Sequence, residues 1–322
     1  MVYRGDPTRN DREEVFVFEP VAPGLSRLGI VFVNVYALGE PGGRWVLVDA
    51  GLKGSEGLIL RSAARLFGAG ARPEAIVLTH GHFDHVGSAR RLADAWGVPL
   101  YAHPIETPYL TGLSDFPPRD PTMGGAMAHM SRLMPDHGYD FGGRVLPLPT
   151  NGGVPGAPGW LWLHTPGHTP GHVSLMRESD GVLLAGDALA TMDLDSWTAY
   201  LTRRRAFNRP SPPFTADWAT TRDSIERLAK LEPAVVAAGH GLPVSGEGVA
   251  EELWRFVEGF RPPGRGRYVG NPPSAGEKGI EWLPPPVPDP YARGIMAGTA
   301  MGAGAMLLAA ARRRRRVSQR SS

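Results

Sequence analysis

Thr79-His80-Gly81-His82-Phe83-Asp84-His85 is the stretch on which the reading of this chain turns. Three imidazoles and a carboxylate fall within six residues, denser than a packed core requires. Ala75-Ile76-Val77-Leu78 reads as a short buried strand and Val86 to Trp96 as a helix, so the motif sits on a strand-to-helix turn. On extended backbone His80 and His82 point to the same side and can share one metal ion. Asp84 and His85 follow in the turn and can face a second. Neutral imidazole and carboxylate suit zinc, with iron and manganese as alternatives. A histidine-rich surface loop would look the same locally. The difference is that ligand-type residues recur downstream at the ends of further strands.

His164-Thr165-Pro166-Gly167-His168-Thr169-Pro170-Gly171-His172 lies between two expected strands, with Pro and Gly fixing the backbone. His168 is the ligand candidate there; His164 and His172 read as supporting or packing residues. Leu183-Leu184-Ala185-Gly186-Asp187 ends a buried strand with a carboxylate, and Val235-Val236-Ala237-Ala238-Gly239-His240 ends another with an imidazole. Strand ends form the natural rim of a site. His103 reads as structural, His129 and His137 as exposed, and the methionines at 123, 127, 130 and 134 as packing. Arg203-Arg204-Arg205 reads as a solvated run.

In order and context, His80-x-His82-x-Asp84-His85, His168, Asp187 and His240 resemble the metal motifs of the metallo-β-lactamase-fold hydrolases. Asp49, in Val48-Asp49-Ala50-Gly51, resembles the structural aspartate those proteins carry before the first helix. The resemblance covers roughly residues 15 to 260. It implies an α/β fold of the αββα type, two mixed β-sheets flanked by helices, with a dinuclear site at one edge. By the same resemblance His80, His82 and His168 hold one divalent ion, Asp84, His85 and His240 the other, and Asp187 bridges them. His172 and Asp49 would support the ligands. The Thr-Pro-Gly-His-Thr-Pro-Gly-His run is similar to the glyoxalase II-like branch. The chain departs from glyoxalase II in showing no helical substrate domain after His240, which argues against a glutathione thioester.

The function implied is metal-dependent hydrolysis of a small molecule. Two cations, zinc first, lower the pKa of a bridging water, and the resulting hydroxide attacks an ester, thioester, lactone or amide carbonyl. Asp84 and Asp187 are the catalytic carboxylates. Two alternatives exist within the fold: a mononuclear non-haem iron oxidoreductase of the persulfide dioxygenase kind, and a nuclease.

Composition narrows these. Cysteine is absent from the 322 residues, so any metal must be held by His, Asp and Glu, and no thiol nucleophile exists. The formal charge of +2 comes from the C-terminus, where Arg312 to Ser322 hold six arginines and no acid. Without them the body has 28 basic against 32 acidic residues, which argues against nucleic acid as the substrate.

The chain divides into a catalytic domain over 1–260, a Pro/Gly-rich linker over 261–290 and a tail over 291–322. Within the first, strands are expected at 15–18, 30–36, 45–48, 98–103, 145–148, 160–164, 173–176, 182–185 and 234–237. Helices are expected at 55–67, 126–133, 217–231 and 248–260. The segment 104–143, rich in Pro, Gly and Met, is a candidate lid beside the motif. The N-terminus is polar and shows no secretory pattern, which points to the cytoplasm. Gly294 to Ala311 carries one polar side chain and no charge, and as a helix it would reach ~27 Å at ~1.5 Å per residue. Membrane contact through residues 294–316, by this segment or by the arginines after it, is therefore an expectation.

Overall fold

The structure is a computed structural model that describes residues 17–289 except 136 and 203. The first sheet begins with β1 (Glu19–Ala22), β2 (Leu25–Ile30), β3 (Val33–Leu38) and β4 (Val46–Val48), antiparallel neighbours that lead into helix α1 (Glu56–Phe67). It continues through β5 (Ile76–Val77), helices α2 (Phe83–Val86) and α3 (Ala89–Trp96), and β6 (Leu100–Ala102). Two short helices follow, α4 (Thr107–Leu110) and α5 (Ala126–Ser131), before β7 (Val145–Pro147) completes a seven-stranded sheet in sequence order. From β4 to β7 the pairing is parallel.

The second sheet holds β8 (Leu161–His164), β9 (Val173–Arg177) and β10 (Val182–Gly186). After helices α6 (Trp197–Thr202) and α7 (Trp218–Ala229) come β11 (Val235–Ala238), β12 (Val244–Ser245) and helix α8 (Val249–Gly259). Its order is β12-β11-β10-β9-β8, and only β10 and β11 run parallel.

Alternation along the strands makes the layers. On β3, Val33, Val35 and Ala37 pack with Ile59, Ala63 and Leu92 of α1 and α3, whereas Tyr36 and Leu38 pack between the sheets. On β10, Val182 and Leu184 face that same inter-sheet core, while Leu183 and Ala185 pack with Ile225, Leu228 and Leu253 of α7 and α8. A strand with a period of two thus feeds two cores at once. The result is the αββα sandwich. Asp217 begins α7 by accepting from the backbone N–H of Ala219 at 3.1 Å and Thr220 at 3.0 Å.

Four differences separate the structure from the sequence expectation. The run Ile30 to Tyr36 is two strands, because Val31 turns the chain with φ of 57° and is 80% exposed. The helix expected from Val86 starts earlier: Asp84 and His85 lie within α2, and the chain restarts as α3 at Ala89. Val17 and Phe18 stand outside the strands. Finally, the segment after Phe260 is more than a linker. Its β13 (Ser274–Gly276) and β14 (Gly279–Trp282) pair as a hairpin. Buried Tyr268 donates its hydroxyl to the Pro118 carbonyl at 2.6 Å, and Ile280 N–H donates to Ser114 Oγ at 3.1 Å. The compact unit accordingly runs to Pro285, with this strap seated on the 104–143 segment.

Residues 1–16 and 290–322, including those on which the membrane expectation rests, lie outside the described residues. Among the described residues no helix is long and apolar enough to cross a membrane.

Candidate metal centre

The ends of β4, β5, β10 and β11 meet along one edge of the sandwich, and hydrogen bonds pin the two sheets there. Asn34 on β3 donates through Nδ2 to the carbonyls of Ala238 at 2.9 Å and Gly241 at 2.7 Å, and Tyr36 donates to Ala238 at 2.7 Å. Val173 N–H on β9 donates to the Thr79 carbonyl at 2.9 Å, so the two histidine-bearing turns start from joined strands.

All seven residues that the motifs single out as ligands converge at this edge. His80, His82 and His168 bring one nitrogen each within 4.8 Å of one another, and so do Asp84, His85 and His240 with one ligand atom each. Asp187 lies between the groups: its Oδ2 is 3.0 Å from His240 Nε2 and 3.5 Å from His168 Nε2, and its Oδ1 is 3.5 Å from His85 Nε2. Gly239 makes this possible, because a Cβ there would stand 2.0 Å from Asp187 Oδ1.

Partners on the far side orient the rings. Asp49 Oδ2 accepts from His85 Nδ1 and from Thr79 Oγ1, each at 2.8 Å, and Oδ1 accepts from Thr79 N–H at 2.8 Å. The Thr79 hydroxyl, committed to Asp49 as donor, accepts from His80 Nδ1 at 3.1 Å. Thr215 Oγ1 donates to the Ser211 carbonyl at 2.8 Å and accepts from His168 Nδ1 at 2.9 Å. His240 Nδ1 donates to the Phe32 carbonyl at 2.8 Å. In each case a proton sits on Nδ1, which turns Nε2 toward the site. Asp49 itself has φ of 61°, a left-handed conformation held by these three bonds.

His172 differs. Its Nε2 accepts from Asp187 N–H at 2.8 Å, and its Nδ1 donates to the Thr165 carbonyl at 3.1 Å. Both nitrogens are used, so it holds the backbone of Asp187 rather than facing the cluster.

Among the described residues, His80 Nε2, His85 Nε2 and Asp187 Oδ1 are buried and have no hydrogen-bond partner. Orphaned polar atoms are costly in a native interior, and three in one cluster fit divalent cations. His82 Nδ1 and His168 Nε2 stand 3.0 Å apart, near the ~3.3 Å that separates two ligands held ~2.0–2.1 Å from a tetrahedral ion. The charge balance agrees. Burial, reinforced by the neighbouring imidazoles, holds His80 and His168 well below the usual histidine range and His82 down to about 3, so all three are neutral. Burial also opposes charge on His85, but Asp187, Asp49 and Asp84 outweigh it and raise the ring to about 10. Burial likewise pushes Asp187 up, yet His240 and His85 hold it well below the carboxylate range. A cation at this second group would displace the protons its carboxylates attract.

The approach to the cluster is apolar. Phe32, Phe83, Met127, Met134 and Phe214 line the recess above Asp84, His168, Asp187 and His240, and the buried Ser211, whose Oγ has no partner, lines it too. Met127 and Met134 come from the 104–143 segment. Among the other sequence candidates, His129 and His137 are exposed, and His137 lines an outer recess beside Phe116. Arg204 and Arg205 are exposed.

His103 stacks on His164 at 4.1 Å between centroids, away from the ligand cluster. Burial, then His164, holds His103 down to about 4. Between that value and ~6.5, where a free histidine titrates, the unfolded chain takes a proton that the folded chain refuses. Stability therefore falls as pH drops through this window. Because the ring is only half buried, the expected contribution is under ~1 kcal/mol. His103→Gln should shrink the loss of denaturant midpoint between pH 7 and pH 5; an unchanged loss would discount this pair.

Thr79, Thr215, Ser211, the Phe32 carbonyl and Glu106, treated below, are the site residues that sequence reasoning missed. Thr79 adjoins the motif and was within reach of it. The others are brought in by tertiary packing alone.

Fold and ligand constellation together define a metal-dependent hydrolase. Residues 28–240 match the family model of the metallo-beta-lactamase superfamily, and the chain belongs to that superfamily. It is 41% identical over 235 residues to the probable metallo-hydrolase YflN of Bacillus subtilis, covering 72% of this chain and 89% of that protein. It is 28% identical over 195 residues to the probable metallo-hydrolase YybB of the same organism, covering 61% and 74%. The crystal structure of a metallo-beta-lactamase family protein from Thermus thermophilus superposes with a TM-score of 0.52 at 26% identity, covering 74% of this chain and 80% of that one.

Proposed function

We propose that the chain hydrolyses a carbonyl substrate, an ester, thioester, lactone or amide, with two divalent cations, zinc first and iron or manganese as alternatives. His80, His82 and His168 would hold one, Asp84, His85 and His240 the other, with Asp187 shared. The observation that carries this reading is the position of Asp187, whose two oxygens lie 3.0 to 3.5 Å from ring nitrogens of both groups. A carboxylate so placed, among orphaned Nε2 atoms, is within reach of cations in both groups at once. Bound cations of this kind supply an acidified water and a Lewis acid for the carbonyl oxygen.

The chain's own contribution is orientation and proton handling. Asp49, Thr79, Thr215 and the Phe32 carbonyl fix the imidazoles before substrate arrives. Asp84 is buried but lines the recess, with Oδ2 3.5 Å from His240 Nε2. Its carboxylate is the group placed to orient the attacking water, take its proton and return it to the leaving group. The Phe and Met walls exclude bulk water and favour a substrate with an apolar group beside its carbonyl.

The test is a series of uncharged aryl esters and lactones assayed on metal-loaded and chelated protein. Turnover should vanish on chelation and return when metal is restored; activity indifferent to chelation would overturn the reading. The wall makes a separate expectation. Met134→Ala should lower kcat/KM by ~10-fold for longer acyl chains and less for acetyl, since each buried methylene contributes ~0.8 kcal/mol. An equal effect on every chain length would remove Met134 from the substrate's path.

A further inference from the structure

Glu106 is completely buried at the start of the 104–143 segment. Its Oε1 accepts from the Gly81 N–H at 2.8 Å; its Oε2 accepts from the Thr169 hydroxyl at 3.0 Å and the Gly171 N–H at 2.9 Å. Gly81 lies between His80 and His82. Thr169 follows His168, and Gly171 precedes His172. One carboxylate therefore ties together the two turns that carry the first histidine group.

We propose that Glu106 is a positioning residue that sets the spacing of these two turns, and through it the affinity of His80, His82 and His168 for a cation. The inference rests on the metal-site reading above.

The donor set explains why the side chain is a carboxylate. All three partners donate, which favours an accept-only, ionised carboxylate against the burial that pushes its pKa up to about 7. Glutamine has one accepting oxygen. Its NH2 would have to face Gly81, or else face Gly171 and Thr169. The threonine hydroxyl can rotate away, but a peptide N–H cannot. Whichever way the amide is turned, a buried backbone donor is left unpaired. The approach is also close: a Cβ at Gly171 would stand 2.4 Å from the Glu106 nitrogen and 2.7 Å from Oε2. The backbone has been thinned to let the carboxylate in. Nearby, Leu110 and Phe116 pack against Gly81, where a Cβ would meet each at 2.9 Å. The 104–143 segment thus seats its first turn directly on the metal-ligand turns.

The test is Zn²⁺ affinity, measured by competition with a chromophoric chelator on wild type, Glu106→Gln and Thr169→Val, with folding checked by circular dichroism. Residues that orient metal ligands typically contribute 10- to 100-fold in affinity, and a loss in that range is expected for folded Glu106→Gln. Thr169→Val removes one of the three bonds and should lose several-fold. A folded Glu106→Gln with wild-type affinity overturns the proposal. Should Glu106→Gln not fold, Thr169→Val decides: a several-fold loss supports the role, and wild-type affinity overturns it. Wild-type protein that holds no Zn²⁺ would overturn the metal-site reading along with this one, whereas unchanged variants beside a Zn²⁺-holding wild type overturn only the role of Glu106.

Discussion

Asp187→Ala is expected to lose at least one bound cation and about 10³-fold or more in turnover, ~4 kcal/mol of transition-state stabilisation. The size follows from geometry. Asp187 is the carboxylate that approaches ring nitrogens of both groups, at 3.0 Å from His240, 3.5 Å from His168 and 3.5 Å from His85. Its removal also leaves His85 and His240 with less negative charge nearby, so fewer favourable contacts remain for either ion. Metal analysis and steady-state kinetics on the same preparation check this. A variant with full metal content and normal turnover would show that the carboxylate is structural.

The second large effect separates two neighbouring histidines. His168→Ala should strip the first cation and cost about as much as the loss of Asp187, because His168 turns its Nε2 into the cluster, 3.0 Å from His82 Nδ1 and 3.5 Å from Asp187 Oδ2, while Thr215 holds its Nδ1. His172→Ala should cost only ~10–100-fold. Its nitrogens are spent on the Asp187 N–H and the Thr165 carbonyl, so its loss relaxes the Asp187 backbone without removing a ligand atom. The reverse order of effects would mean that the ligand in this turn has been misassigned.

The sequence already sets the two histidines apart: Pro and Gly bracket His168 on both sides, whereas His172 leads straight into a strand. The αββα layering was legible too, since runs such as Val46-Leu47-Val48 are apolar at every position and so must be covered on both faces. What the sequence concealed depends on backbone direction and distant partners. The corner at Val31 interrupts an unbroken apolar run, and no glycine or proline marks it. Arg261 to Pro290 reads as a linker by composition, yet within it Tyr268 and the β13–β14 hairpin are anchored to residues more than a hundred positions earlier. Glu106 stands in no motif at all. Its hydrogen bonds form only because residues 25 and 65 positions away fold around it.

The central claim is that one carboxylate sits between two filled cation sites. The most direct measurement is the metal content per chain of protein purified without added metal, by elemental analysis, with Asp187→Ala alongside. Two equivalents of a divalent metal, zinc foremost, falling to one or none in the variant, is the predicted result. A single iron per chain that survives the loss of Asp187 would contradict it.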